Sequence, residues 1–153
     1  MRNATPGTEL LDEIEQLLRT RQGDDALRAV CELLHGGVGH YDWVGLYRAD
    51  EGSRTLTLGP FAGEPTEHAE IPFGRGICGQ AAERRETFLV QDVSKEGNYL
   101  SCSPRVRSEI VVPVFREGRV VGEIDIDSHA LAPFTDADRA FLERVAELVA
   151  PLL

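Results

Sequence analysis

The stretch Cys102-Ser-Pro-Arg-Val-Arg-Ser-Glu109 sets a thiol seven residues before a carboxyl, and Glu123-Ile-Asp125-Ile-Asp127 follows close behind. A thiolate is a nucleophile, and crowded carboxyls share protons because like charges raise each other's pKa. Together they offer attack and acid–base work rather than scaffolding alone. Cys102 falls in a polar loop near Arg105 and Arg107, whose charges favour the thiolate, so it reads as reactive rather than incidental. Cys78, in Gly76-Ile-Cys78-Gly79, sits near a helix start where the dipole favours a thiolate. Packing in the first helical turn is the alternative there. Cys31 lies on the apolar face of a helix and reads as a small buried hydrophobe.

The elements that would position these groups are legible from periodicity. Thr8 reads as the N-cap of a helix with Leu10, Leu11, Ile14, Leu17 and Leu18 on one face. Asp24 reads as the cap of a second helix carrying Leu27, Val30, Cys31 and Leu34, ended by Gly36, Gly37 and Gly39. The period then changes to that of strands: Trp43 to Arg48, Thr55 to Leu58, Ala69 to Ile71 and Phe88 to Val90, with a short helix from about Ile77. Residues 92–107 have no period and read as a long loop, of the kind that is functional or mobile. Residues 108–115 and 120–127 form the clearest hairpin, and Thr135 caps a last helix with Phe141, Leu142, Val145, Leu148, Val149 and Leu152 inward. Residues 1–7 read as frayed. Helices at both ends of a mostly antiparallel sheet predict one α+β domain over residues 1–153.

Register decides whether the acids meet. A two-residue turn at Glu117-Gly118 would face Ile110 with Asp125 and Val112 with Glu123, mixing apolar and charged partners. A three-residue loop, Arg116-Glu117-Gly118, pairs Ile110 with Ile124 and Val114 with Val120. That second register sets Glu109 opposite Asp125, with Asp127 two residues along. Opposed like charges destabilise, so the cluster implies either a binding site or a solvated face paired to Arg105 or Arg107; the pattern leaves both open.

Trp43 and Tyr47 share a strand face, with Gly45 between them leaving room for a ligand, or else they pack in a core. The glycines of Pro72-Phe-Gly74-Arg-Gly76 could cradle an anion at a helix N-terminus, without a Walker lysine or Rossmann spacing. His35, His40, His68 and His129 show no metal-ligand spacing and read as non-catalytic. The chain has 26 acidic and 16 basic residues, a net charge of −10, which is a poor match to nucleic acid or anionic lipid. An odd cysteine count without CxxC argues against a disulfide framework or zinc site and for a reducing cytoplasm. No run of about 18 apolar residues predicts a membrane span, and residues 1–20, with four acids, do not read as a secretory signal.

In their order and spacing, Trp43-Val-Gly-Leu-Tyr47, Leu58-Gly-Pro-Phe61, Ile71-Pro-Phe-Gly-Arg-Gly-Ile-Cys78-Gly79, Ser108-Glu109-Ile-Val-Val-Pro113 and Asp125-Ile-Asp127-Ser128 resemble the free methionine-(R)-sulfoxide reductases, which are single GAF domains. The resemblance runs from about Tyr41 to the C-terminus. It implies a central antiparallel sheet with the terminal helices on one face and a closed pocket on the other. It further implies Cys102 as the catalytic cysteine, Cys78 as a partner cysteine, and Glu109, Asp125 and Asp127 as substrate-binding and proton-handling acids. Trp43 and Tyr47 would form an aromatic wall. Such enzymes need no bound cofactor, draw on a thioredoxin-type reductant, act on the free amino acid and are often homodimers. Here His68 stands where the family often has another cysteine, ten positions before Cys78. Glu123 receives no role from the resemblance. Two alternatives are a non-catalytic GAF sensor of a small molecule and a thiol redox sensor using Cys78 and Cys102.

Overall fold

The computed structural model describes residues 7–100 and 103–153. Cys102 therefore lies outside the described residues, as do residues 1–6 of the stretch read as frayed.

Four helices and six strands follow one another as α1 (Thr8–Thr20), α2 (Gly23–Gly37), β1 (Trp43–Asp50), β2 (Thr55–Ala62), β3 (Glu70–Pro72), α3 (Gly76–Arg84), β4 (Phe88–Val90), β5 (Ser108–Arg116), β6 (Arg119–Ser128) and α4 (Asp136–Val149). The strands form one sheet in the order β3-β2-β1-β6-β5-β4, and every neighbouring pair is antiparallel. Its two edges, β3 and β4, are only three residues long. No helix among the described residues is long and apolar enough to cross a membrane.

Two apolar clusters sandwich the sheet. The larger packs Ile14, Leu27, Leu34, Phe141, Leu142 and Val145 of α1, α2 and α4 against Val44, Leu46, Ile110, Val112, Ile124 and Ile126. The smaller packs Ile77, Ala81 and Ala82 of α3 against Tyr47, Leu56, Ile71 and Val111 on the opposite face. The terminal helices thus share one face, and the candidate site must lie on the other. Thr135 caps α4 as expected: its hydroxyl accepts from the Asp138 N–H while the Asp138 side chain accepts from the Thr135 N–H, a reciprocal capping box. The first two helices start differently. Gly7 rather than Thr8 holds the N-cap of α1. Gln22 holds that of α2, which leaves Asp24 and Asp25 in the first turn, where they favour the helix dipole. Strands β1 and β2 outrun their predicted ends because Ala49 and Asp50 pair with Leu56 and Thr55, and a bulge lets Ala62 reach Val44.

The β5–β6 hairpin corrects the register expected from apolar matching. The turn is the two-residue Glu117-Gly118, both at positive φ (53° and 77°), and Arg116 pairs with Arg119. An extra residue, Val121, then bulges out, since Phe115 pairs with Val120 but Val114 with Gly122. Beyond that bulge Ile110 faces Ile126 and Val112 faces Ile124, so the apolar match survives by a different route. Glu109 consequently stands opposite Asp127, not Asp125, and Asp125 faces Val111.

Candidate active site

Strand pairing arrays the candidate residues in three rows across β1, β6 and β5. The first row is Trp43, Asp127 and Glu109; the second is Gly45, Asp125 and Val111; the third is Tyr47, Glu123 and Pro113. Period-two alternation points all of them to the face that α3 covers. Glu109, Glu123, Asp125 and Asp127 are each at most 5% exposed. An isolated ionised carboxylate at such depth costs several kcal/mol, so the four acids share few charges. Burial, and then the neighbouring Asp125, hold Glu123 and Asp127 well above the usual carboxylate range, and burial likewise raises Asp125. Both Glu123 oxygens and Asp125 Oδ1 have no hydrogen-bond partner among the described residues.

Helix α3 forms the roof and brings in Cys78. Its thiol is buried, 3.9 Å from Glu109 Oε2, and is pushed well up by burial and by Asp125, Glu109, Glu123 and Asp127 in that order. The position near a helix start therefore does not favour the thiolate as the sequence suggested, because desolvation and four acids outweigh the dipole. Nor is the glycine-rich turn an anion cradle. The Gly76 N–H donates to Asn98 Oδ1 at 2.8 Å, and the Gly74 N–H to the Gly79 carbonyl at 2.7 Å. Gly79 serves close approach instead, since a Cβ there would lie 2.6 Å from the Pro72 carbonyl oxygen. Asn98 also donates to the Gly74 carbonyl at 2.8 Å, which fastens the long loop to the start of α3. Cys31 stays in the opposite core, its thiol pushed up to about 12 by burial.

The space expected over Gly45 is filled by Trp43 itself. A Cβ on Gly45 would lie 2.2 Å from Trp43 Cη2, and one on Gly63 2.7 Å from Cδ1. The two glycines thus form a slot for the indole, which stacks on Phe61 at 5.7 Å and donates to the Glu64 carbonyl at 2.8 Å. Tyr47 donates to the His68 carbonyl at 3.0 Å, so both aromatics anchor the segment between β2 and β3. His68, which sequence spacing set aside, comes near enough to Asp125 to favour its ionised form. Trp43 and Asp127 border a cavity of about 340 Å³, also lined by Asp42, Thr66, Val106 and His129. An ion pair between Glu64 and Arg105 joins two segments of its wall. The carboxylates and Cys78 come together as expected, while Arg105 pairs with Glu64 and not with the acids.

A six-stranded antiparallel sheet with terminal helices behind it and a polar cluster in front is the fold of a GAF domain, and the sequence profile of the GAF domain matches residues 21–153. The free methionine-R-sulfoxide reductase of Saccharomyces cerevisiae is 37% identical over 151 residues, covering 89% of this chain and 83% of the yeast protein. Among solved structures, the type II free methionine-R-sulfoxide reductase from Thermoplasma acidophilum superposes with a TM-score of 0.80 at 40% identity, covering 91% of this chain and 94% of that one. The free methionine-R-sulfoxide reductase from Neisseria meningitidis, solved in complex with its substrate, gives a TM-score of 0.87 at 34% identity, with 99% and 93% covered. The chain belongs to the GAF-domain family and, within it, to the free methionine-R-sulfoxide reductases.

Proposed function

We propose that this protein reduces free methionine-(R)-sulfoxide to methionine, with Cys102 as the nucleophile. The observation that carries the reading is the buried group of Glu109, Asp125 and Asp127 beside the Trp43 wall. Carboxylates kept from water favour a cation, and the α-ammonium of a free amino acid supplies one, whereas a peptide-bound residue has none. Carboxyls held protonated by their neighbours supply a proton donor at neutral pH.

In the proposed sequence the Cys102 sulfur bonds to the sulfoxide sulfur while Glu109 or Asp125 protonates the departing oxygen. The hydroxyl then passes from the substrate sulfur to the Cys102 sulfur as the sulfur–oxygen bond and the transient sulfur–sulfur bond of the adduct break, so methionine leaves and Cys102 is left as a sulfenic acid. A second thiol, Cys78 or one from outside, then bonds to that sulfur and water departs. A thioredoxin-type dithiol reduces the resulting disulfide by exchange. Burial of Cys78 among acids holds its thiol protonated and unreactive at rest. The test is turnover of free methionine-(R)-sulfoxide with dithiothreitol by Cys102→Ser protein, followed by chromatography of both sulfoxide epimers. The expected result is loss of turnover for the R epimer; unchanged turnover would overturn the assignment of Cys102.

A further inference from the structure

We propose that the reduced protein also binds one zinc-like divalent cation at Cys78, Glu109 and Asp125, in place of the substrate's ammonium. One donor atom from each of these residues lies within 4.8 Å of the other two, and all three residues are buried. The set pairs a soft sulfur with two carboxylate oxygens, which suits zinc better than calcium or magnesium. Tetrahedral zinc, with Zn–S about 2.3 Å and Zn–O about 2.0–2.2 Å, spaces its donors roughly 3.3–3.7 Å apart. Side-chain rotations that close the widest gap by about 1 Å therefore suffice.

A second observation points to a cation independently of the spacing. Asp125 Oδ1 is buried without a hydrogen-bond partner among the described residues. An acceptor so enclosed is costly unless something positive or a proton meets it. A divalent ion answers that Asp125 oxygen and converts Cys78 to its thiolate, since coordination deprotonates a thiol. Three protein ligands leave the fourth position to water. The bound ion occupies the place proposed for the ammonium and withdraws Cys78 from thiol chemistry, so it acts as an inhibitor and not as a cofactor. This inference rests on the same site as the proposed reductase reading.

The experiment is titration of the reduced, full-length protein with Co²⁺, reading the near-ultraviolet sulfur-to-cobalt charge-transfer band and its displacement by Zn²⁺. The band is expected at one equivalent in the wild type, Cys31→Ser and Cys102→Ser, and absent in Cys78→Ser. Loss of an outer-shell partner alone costs about 10–100-fold in metal affinity, so Asp125→Asn, which keeps the thiol and the side chain's shape, should weaken binding at least as much. A band that survives in Cys78→Ser, the absence of any band in the wild type, or full affinity in Asp125→Asn would overturn the site. Binding is read without substrate, so a failure of the reductase reading leaves this outcome readable on its own.

Discussion

Glu109 shows how one side chain's neighbours set its chemistry. It shares a row with Asp127 and Trp43 at the border of the cavity, and its Oε2 lies 3.9 Å from the Cys78 thiol. Glu109→Gln keeps the shape and the hydrogen-bonding reach but removes a carboxyl that can release a proton. If that carboxyl acts in the transition state, kcat falls on the order of 10²-fold, with a smaller change in KM; steady-state kinetics on free methionine-(R)-sulfoxide checks it. Asp125 and Asp127 were legible as neighbours because alternate residues of one strand share a face, and Glu109 joined them through the hairpin pairing, which puts it opposite Asp127 instead of Asp125. Glu123 has the same parity, but nothing in the sequence distinguished a fully buried acid from a solvated one. His68 was not legible as a neighbour of Asp125, since it arrives on a separate segment that Tyr47 anchors through a backbone carbonyl. Cys78 was found by its position, yet its environment reverses the sign expected from the helix dipole.

At the scale of elements, β1 builds its part of the site by what it lacks at Gly45. Gly45→Ala would drive a methyl into the Trp43 ring, so the indole must leave its slot between Gly45 and Gly63. The protein has a single tryptophan, which makes the displacement readable: the emission maximum should shift to the red, and kcat/KM for the sulfoxide should fall. An unshifted spectrum would mean that the slot yields without moving the ring. Helix α4 depends on its start instead. Thr135→Ala removes half of the capping box and should cost about 1 kcal/mol in urea unfolding. The cap of α4 was legible because Thr and Asp stand three apart before an apolar period. Those of α1 and α2 were not, because no side chain caps them. The hairpin is the most instructive difference. Apolar matching correctly demanded that Ile110 face an isoleucine, though it chose Ile124 instead of Ile126 and set Val112 opposite Gly122, because a uniform ladder left only the longer loop to achieve the match. A tight turn followed by a bulge at Val121 reaches the same core and slides the pairing of the acids by two residues, from Asp125 to Asp127 opposite Glu109.

At the scale of the whole molecule, Asp138 ties the two ends of the fold together. It lies 2.9 Å from His40 Nε2 and accepts from the Tyr41 hydroxyl at 2.7 Å, across nearly a hundred residues. Burial alone would raise its pKa, but the hydrogen bonds from His40, Tyr41 and Thr135 together hold it below the usual carboxylate value. A carboxyl depressed in the folded state adds stability above its unfolded pKa of about 3.9, and that stability is lost as pH falls through the folded value. The gap in unfolding free energy between wild type and Asp138→Asn should therefore be widest near about pH 6 and narrow toward about pH 2; urea titrations across that range check it. The sheet that these ends enclose has a further consequence. A long, flat border of unpaired peptide groups is a template on which another chain can add a strand and seed aggregation. Here the borders, β3 and β4, offer three residues each, and Pro72 closes β3 without an N–H to donate. Crowding many copies together should therefore not string them into fibres through these margins.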